Sequence, residues 1–128
     1  MYNVPGELKY TDTHTWVEDI GDNQYRVGIT DYAQNELGDI LFVKKKKKRE
    51  YSQADECAVV ESVKSTSDIY CPLSGTITDI NDMLQDSPEV INNEPYSEGW
   101  IFVIKVFDTS ELEELIDAEA YSELTEEE

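Results

Sequence analysis

The sequence predicts a mainly β protein that ends in a helix, and three observations carry the prediction. The first two thirds of the 128 residues are broken by turn residues into short apolar or alternating runs, the spacing of half-buried strands. Gly21-Asp22-Asn23 joins two of these runs as a hairpin turn, because glycine and asparagine accept positive φ. From Asp108 onward the period becomes helical, with Leu112, Leu115, Ile116 and Leu124 recurring on one side and Tyr121 adding an aromatic contact.

In chain order, strands are expected at Thr15 to Asp19, Gln24 to Thr30, Asp39 to Val43, Glu56 to Val60, Asp68 to Pro72, Gly75 to Ile80 and Trp100 to Phe107. One short internal helix is expected over Asp31 to Leu37. Asp31 suits its cap, Ala33 and Leu37 share a face, and Gly38 suits the position after its end. Beyond Ile80 the pattern loosens, and Ser87-Pro88-Glu89 reads as the start of a helical turn, since proline fits the first helical position. The tail opens on Ser110-Glu111-Leu112-Glu113, which has capping-box spacing, and gives a helical segment at about 108–125. With 39% apolar and 30% charged residues the chain can bury one core, so residues 1–128 are expected to form a single domain.

Charge narrows the function. Ten Lys and Arg stand against 29 Asp and Glu, a formal net charge of −19. Such a field repels polyanions, so neither nucleic acid nor an anionic membrane is expected as a partner. Six of the ten cations form the run Lys44-Lys45-Lys46-Lys47-Lys48-Arg49, leaving Lys9, Arg26, Lys64 and Lys105 against the 29 carboxylates, or −25. Lysine is therefore scarce elsewhere, and an isolated lysine invites a chemical explanation. The ten carboxylates from Asp108 onward, with no cation among them, read as a solvated face.

Cys57 and Cys71 each stand among apolar neighbours and read as buried thiols in a reducing compartment. No metal is expected: His14 is the one histidine, and no Cys-x-x-Cys pair supplies soft ligands at binding spacing. No window approaches the ~20 apolar residues of a membrane helix. Met1 to Glu7 has neither a signal-peptide core nor an Arg-rich presequence, so a cytoplasmic protein of bacterial type, acting as a monomer, is expected.

The most informative stretch runs from Val59 to Tyr70. Two apolar runs flank the small polar centre Glu61-Ser62-Val63-Lys64-Ser65-Thr66-Ser67-Asp68, which predicts a hairpin with Lys64 at or near its tip. By composition alone Lys64 is an ordinary exposed loop lysine.

Glu61-Ser62-Val63-Lys64, followed by Ser67-Asp68-Ile69-Tyr70 and Pro72-Leu73-Ser74-Gly75, resembles the lipoyl-lysine hairpin of the glycine cleavage system H proteins. The resemblance runs nearly end to end and in order. It takes in Val4-Pro5-Gly6-Glu7-Leu8-Lys9-Tyr10, Val27-Gly28-Ile29-Thr30, Ala33-Gln34 with Leu37-Gly38-Asp39-Ile40, Asn92-Asn93-Glu94-Pro95-Tyr96 with Gly99-Trp100, and Ser110-Glu111-Leu112 with Asp117-Ala118-Glu119-Ala120-Tyr121. It implies a barrel-sandwich hybrid of two small antiparallel sheets, with the modified lysine presented on a hairpin.

It further implies lipoic acid joined to Lys64 by an amide, which removes one positive charge and takes the chain to −20. An ordinary lysine, with pKa ~10.4, is cationic at pH 7, so a lipoate ligase or octanoyltransferase must deprotonate it during attachment. The implied role is that of a carrier, not an enzyme. A pyridoxal-phosphate glycine decarboxylase loads an aminomethyl group onto the arm, a tetrahydrofolate-dependent aminomethyltransferase removes the one-carbon unit, and a flavin dihydrolipoamide dehydrogenase reoxidises the arm. The disulfide chemistry belongs to the cofactor, and the protein contributes presentation and choice of partner.

Glu61 and Asp68 flank the lysine, with recognition by the attaching enzyme or contact with the loaded arm set against simple solubility of the hairpin. Where many family members read His-Glu-Trp and His-Ala-Gln beside the loaded arm, this chain reads His14-Thr15-Trp16 and Tyr32-Ala33-Gln34. Thr15 and Tyr32 then offer hydroxyls, weaker partners for an ammonium than a carboxylate. The lysine run replaces a Leu-Pro-Glu-Val-Gly type turn and is one residue shorter. It reads either as a solvated loop or as an altered segment of sequence. Two rival functions share the same hairpin: a relay passing lipoyl or octanoyl groups to other complexes, and a non-carrier binding module that retains the fold.

Overall fold

The computed structural model describes residues 3–45 and 50–127, so most of the lysine run, residues 46–49, lies outside the described residues. Among the described residues, nine strands fall into two antiparallel sheets. They are β1 (Lys9–Tyr10), β2 (Thr15–Gly21), β3 (Gln24–Ile29), β4 (Ile40–Lys45), β5 (Glu50–Tyr51), β6 (Glu56–Ser62), β7 (Thr66–Tyr70), β8 (Gly75–Ile80) and β9 (Phe102–Val106). One sheet has six strands in the order β1-β2-β3-β9-β8-β5, and the other has three in the order β4-β6-β7.

Alternation along the strands places the core between the sheets. Val27, Ile77 and Ile104 face inward from the larger sheet, and Val43, Ala58, Val60 and Ile69 from the smaller, all in one buried cluster. Burying a side chain of this kind is worth roughly 1.5–3 kcal/mol, so the cluster fixes strand register, because a one-residue slip turns the apolar set outward. The expected strands are all present to within a few residues, and the fold is the sandwich of two antiparallel sheets that the resemblance implies. β1 and β5 escape that reading because two residues are too few to show alternation.

α1 (Asp31–Leu37) spans the expected residues, but its cap is Thr30, whose hydroxyl accepts from Ala33 N at 3.2 Å. The Asp31 carboxylate instead accepts from Asn3 N and Gln34 Nε2 at 2.9 and 2.8 Å. Gly38 follows the helix at φ +78°, ψ −158°, a conformation that favours glycine. Two single turns, α2 (Met83–Asp86) and α3 (Val90–Asn93), fill the connection after β8.

The acidic tail differs from the single helix expected at about 108–125. It consists of a 3-10 helix over Thr109–Glu114, an extended step, and α4 (Ala118–Glu127). The break has a cause in the backbone: Ile116 exchanges both of its hydrogen bonds with Tyr10 at 2.8 Å, covering the edge of the larger sheet at β1. Leu112 and Leu115 consequently pack on the main core, while Ile116 and Leu124 join a second cluster of Leu8, Tyr10, Trp16 and Tyr121. Asp108 and Asp117 cap the two pieces, accepting from Ser110 N at 3.0 Å and Ala120 N at 2.9 Å. The expected capping box at Ser110 does not form, and Glu111 binds Ser74 N and Oγ at 2.7 and 2.8 Å instead.

Cys57 and Cys71 are buried free thiols. The Cys71 thiol beside it, together with burial, pushes the Cys57 thiol upward in pKa, so Cys57 stays protonated and inert.

Candidate functional site

The hairpin between β6 and β7 places Lys64 at an exposed tip, with Glu61 paired to Thr66 as the last register partners. Its turn is closed locally by one serine. Ser62 Oγ accepts from Lys64 N and Ser65 N, both at 3.2 Å, and donates to Ser65 O at 3.1 Å, while Ser62 N bonds Ser65 O at 2.8 Å. This is the service short hydroxyl side chains give to turns. The tip is also tied to the rest of the fold, since Val63 N donates to Asp39 O at 3.0 Å.

The base of that tie is Asn92, on α3. Its Oδ1 accepts from Ile40 N at 2.9 Å, and its Nδ2 donates to Gly38 O and Gln34 Oε1, both at 2.9 Å. One side chain thus satisfies the backbone on both sides of Asp39 and joins the end of α1 to the start of β4. Gly38 then allows a close approach: a β-carbon there would stand 3.3 Å from Val63 Cγ2 and 3.4 Å from Lys64 Cε. The lysine stem lies across this glycine, and Nζ reaches towards Glu36 O at 3.5 Å, at the carbonyl end of α1 where a cation is favoured.

Glu61 and Asp68 are both exposed, and strand alternation puts them on the outer face of the three-stranded sheet, one row apart across β6 and β7. Neither is bonded to Lys64 in this conformation of the side chains. Tyr32 is half-buried on α1, one turn before Glu36, with its ring 4.6 Å from that of His14. Thr15, expected beside the arm, is 1% exposed and faces the interior, so its hydroxyl is not presented to solvent here.

His14 is structural in its surroundings. Its Nδ1 lies 2.7 Å from the Tyr121 hydroxyl, which also lies 2.6 Å from Thr30 Oγ1. Tyr121 of α4 therefore bridges His14 and the cap of α1, the helix whose far end meets Lys64. An open groove of about 520 Å³ runs nearby, lined in part by Thr11, Asp12, Thr13, Tyr70 and Cys71. Among the described residues no group of three or more His, Cys, Asp or Glu is placed to hold a metal ion, and no helix is long and apolar enough to cross a membrane.

Residues 8–128 match the family model described as Glycine cleavage H-protein. The chain belongs to that family. Two similar relatives are both named glycine cleavage system H protein: one from Photorhabdus laumondii, 54% identical over 100% of this chain and 99% of its own, and one from Escherichia coli O7:K1, 54% identical over 100% of both. The crystal structure of a glycine cleavage system H protein from Mycobacterium marinum superposes with a TM-score of 0.84 at 32% identity, covering 95% of this chain and 98% of that one. Family membership makes this protein a lipoyl carrier of the glycine cleavage system, bearing lipoate covalently on a lysine, and a carrier component rather than a catalyst. Among the residues above, Asn92 and Gly38 were not singled out from sequence as parts of the site, because what they do depends on contacts between distant segments.

Proposed function

We propose that Lys64 is the lysine that carries lipoate and that the chain, acting as one carrier unit, moves an aminomethyl group between enzymes. One observation carries the assignment. Among the described residues, Lys9, Lys44, Lys45 and Lys105 all stand within strands, whereas Lys64 occupies a hairpin tip, exposed and fixed at its base. A tethered group there reaches into a partner while the sheets stay outside it. The surroundings suit an acylated lysine: Gly38 leaves room for the stem, and among the described residues no acidic side chain pairs with Nζ and would be stranded when amide formation removes the charge.

When attached, lipoate supplies a dithiolane that takes up the one-carbon unit together with two reducing equivalents. The chain supplies placement. Ser62 shapes the turn, Asp39 O holds Val63, and Asn92 holds the segment carrying Asp39. Glu61 and Asp68, exposed on the adjoining sheet face, are read as recognition carboxylates for the lipoate ligase or octanoyltransferase, with Tyr32 as an arm contact. Thr15 belongs to that contact only if the buried segment around it opens. The partners in this reading are a pyridoxal-phosphate glycine decarboxylase, a tetrahydrofolate-dependent aminomethyltransferase and dihydrolipoamide dehydrogenase, met by a monomeric carrier in the cytoplasm.

The test is glycine-dependent exchange of carbon dioxide with a cognate decarboxylase. Lipoylated wild-type protein is expected to support robust exchange, and Lys64→Arg, which keeps the charge but cannot form the amide, to support none. Full lipoylation of Lys64 without any exchange would move the protein to a relay of lipoyl groups.

A further inference from the structure

Among the described residues, the outer face of the three-stranded sheet is exposed at Phe42, Lys44, Glu61, Thr66, Asp68 and Tyr70, and it is not uniformly polar. A β-bulge between Ile40 and Phe42 interrupts alternation, so that Ile40 and Val43 point into the core at 3% and 4% exposure while the two residues between them both point out. Leu41 and Phe42 are left 58% and 46% exposed, and Val63 at the tip is 58% exposed. Phe42 pairs with Glu61, and Val63 is held against Asp39, so the three apolar groups gather on the side of the hairpin that leads to Lys64. Exposed carboxylates stand on the surrounding segments, from Glu36, Asp39, Glu61 and Asp68, with Lys44 following Phe42 on the same face. Bulges of this kind re-aim side chains, and apolar groups rimmed by charge mark interaction surfaces.

We propose that Leu41, Phe42 and Val63 form the docking surface through which the lipoylated protein meets the glycine-decarboxylating enzyme, whose complementary surface is an apolar recess rimmed by Lys and Arg at the mouth leading to its pyridoxal phosphate. The proposal rests on Lys64 as the lipoyl lysine. Glu61 lies within ~10 Å of Lys64 along the strand, and Phe42 is its cross-strand neighbour. An enzyme that encloses the tip of the arm must therefore cover this ground. Decarboxylation on pyridoxal phosphate passes through a carbanion that must be kept from water, so among the partners this enzyme has most reason to close tightly round the hairpin. The surrounding carboxylates orient the approach, and the three apolar side chains supply a desolvated centre.

The experiment uses protein shown by intact mass to be fully lipoylated, and compares Leu41→Ser/Phe42→Ser/Val63→Ser with a control, Ile20→Ser/Phe107→Ser, whose residues are 41% and 60% exposed elsewhere. Thermal unfolding and circular dichroism check each fold, and Phe42→Ser alone stands in if the triple variant does not fold. In glycine-dependent exchange with the cognate decarboxylase, the triple variant is expected to raise KM for the carrier about tenfold or more, with kcat nearly unchanged, because such a cluster at an interface centre carries much of the affinity. The control is expected to stay within about twofold of wild type. The proposal is overturned if KM stays at the wild-type value, if the control shifts equally, if only the aminomethyltransferase is affected, or if the free carrier sediments as a dimer that the triple variant abolishes. Absence of exchange with wild-type protein would instead overturn the carrier reading beneath it.

Discussion

Two hairpins of this protein solve the same geometric problem by different means. The β2–β3 turn is written into its own residues: Gly21, Asp22 and Asn23 adopt φ of +93°, +55° and +60°, a conformation few other sequences reach at low cost. The β6–β7 turn at Val63-Lys64-Ser65 has no residue at positive φ. It is closed by the Ser62 hydroxyl and then held from outside, through Asp39 O and, behind it, Asn92. A turn that only joins two strands can specify itself. The turn that exposes Lys64, the proposed lipoyl site, is held by the rest of the fold.

Breaking the external tie is expected to have the largest effect. Asn92→Ala removes the partner of Ile40 N, a donor belonging to a residue 3% exposed, and also releases Gly38 O and Gln34. The loss should be about 2–3 kcal/mol in urea unfolding, the range for leaving buried polar groups unpaired. Lipoylation of Lys64 by a competent ligase should slow as well, because Asp39 and the hairpin tip lose their anchor.

The same substitution at two glycines sharpens the contrast. Gly38→Ala meets both a positive φ and contacts of 3.3–3.4 Å with Val63 and Lys64. It should cost about 1–2 kcal/mol and change the lipoylation rate. Gly21→Ala meets a positive φ of +93° with nothing within 4 Å of the new carbon, so it should cost about 1 kcal/mol and leave lipoylation untouched. Equal effects on lipoylation would show that the two turns are not held differently.

The smallest expected effect is a pH dependence away from the tip. Burial pushes the Tyr96 phenol from 10.0 up to about 12, its hydroxyl accepting from Asp31 N at 2.9 Å and donating to Asn3 O at 2.5 Å. A folded-state pKa above the unfolded one means that the folded protein keeps a proton the unfolded chain loses. The contribution is therefore whole below pH 10 and is lost as pH rises towards 12. Urea midpoints should fall across that window, and less steeply in Tyr96→Phe, although burial also raises Tyr10 and Tyr25 and keeps some slope in the variant.

Legibility from sequence followed the same division. Alternating strands, the Gly21-Asp22-Asn23 turn and the extent of α1 are local features, and each was readable. The break in the tail was not, since the helical spacing of Leu112, Leu115 and Ile116 persists although a backbone exchange between Tyr10 and Ile116 pulls the chain straight. Lys64 was readable as a hairpin tip, and the proposal that it carries lipoate came from the ordered resemblance around it. Its support was not readable, because Asn92 acts on Gln34, Gly38 and Ile40 across more than fifty residues of chain. The burial of Thr15 and the outward turn of both Leu41 and Phe42 are likewise consequences of tertiary packing and a bulge.

Lys64 as the lipoyl lysine is tested most directly by where the acyl group goes. After incubation with a lipoate ligase and lipoate, intact mass and peptide mapping should show one lipoyl group per chain, on the peptide containing Lys64. Lys9, Lys105 and the run from Lys44 to Lys48 should remain unmodified. Acylation spread over the lysine run, or a chain that never gains the group at Lys64, would contradict it.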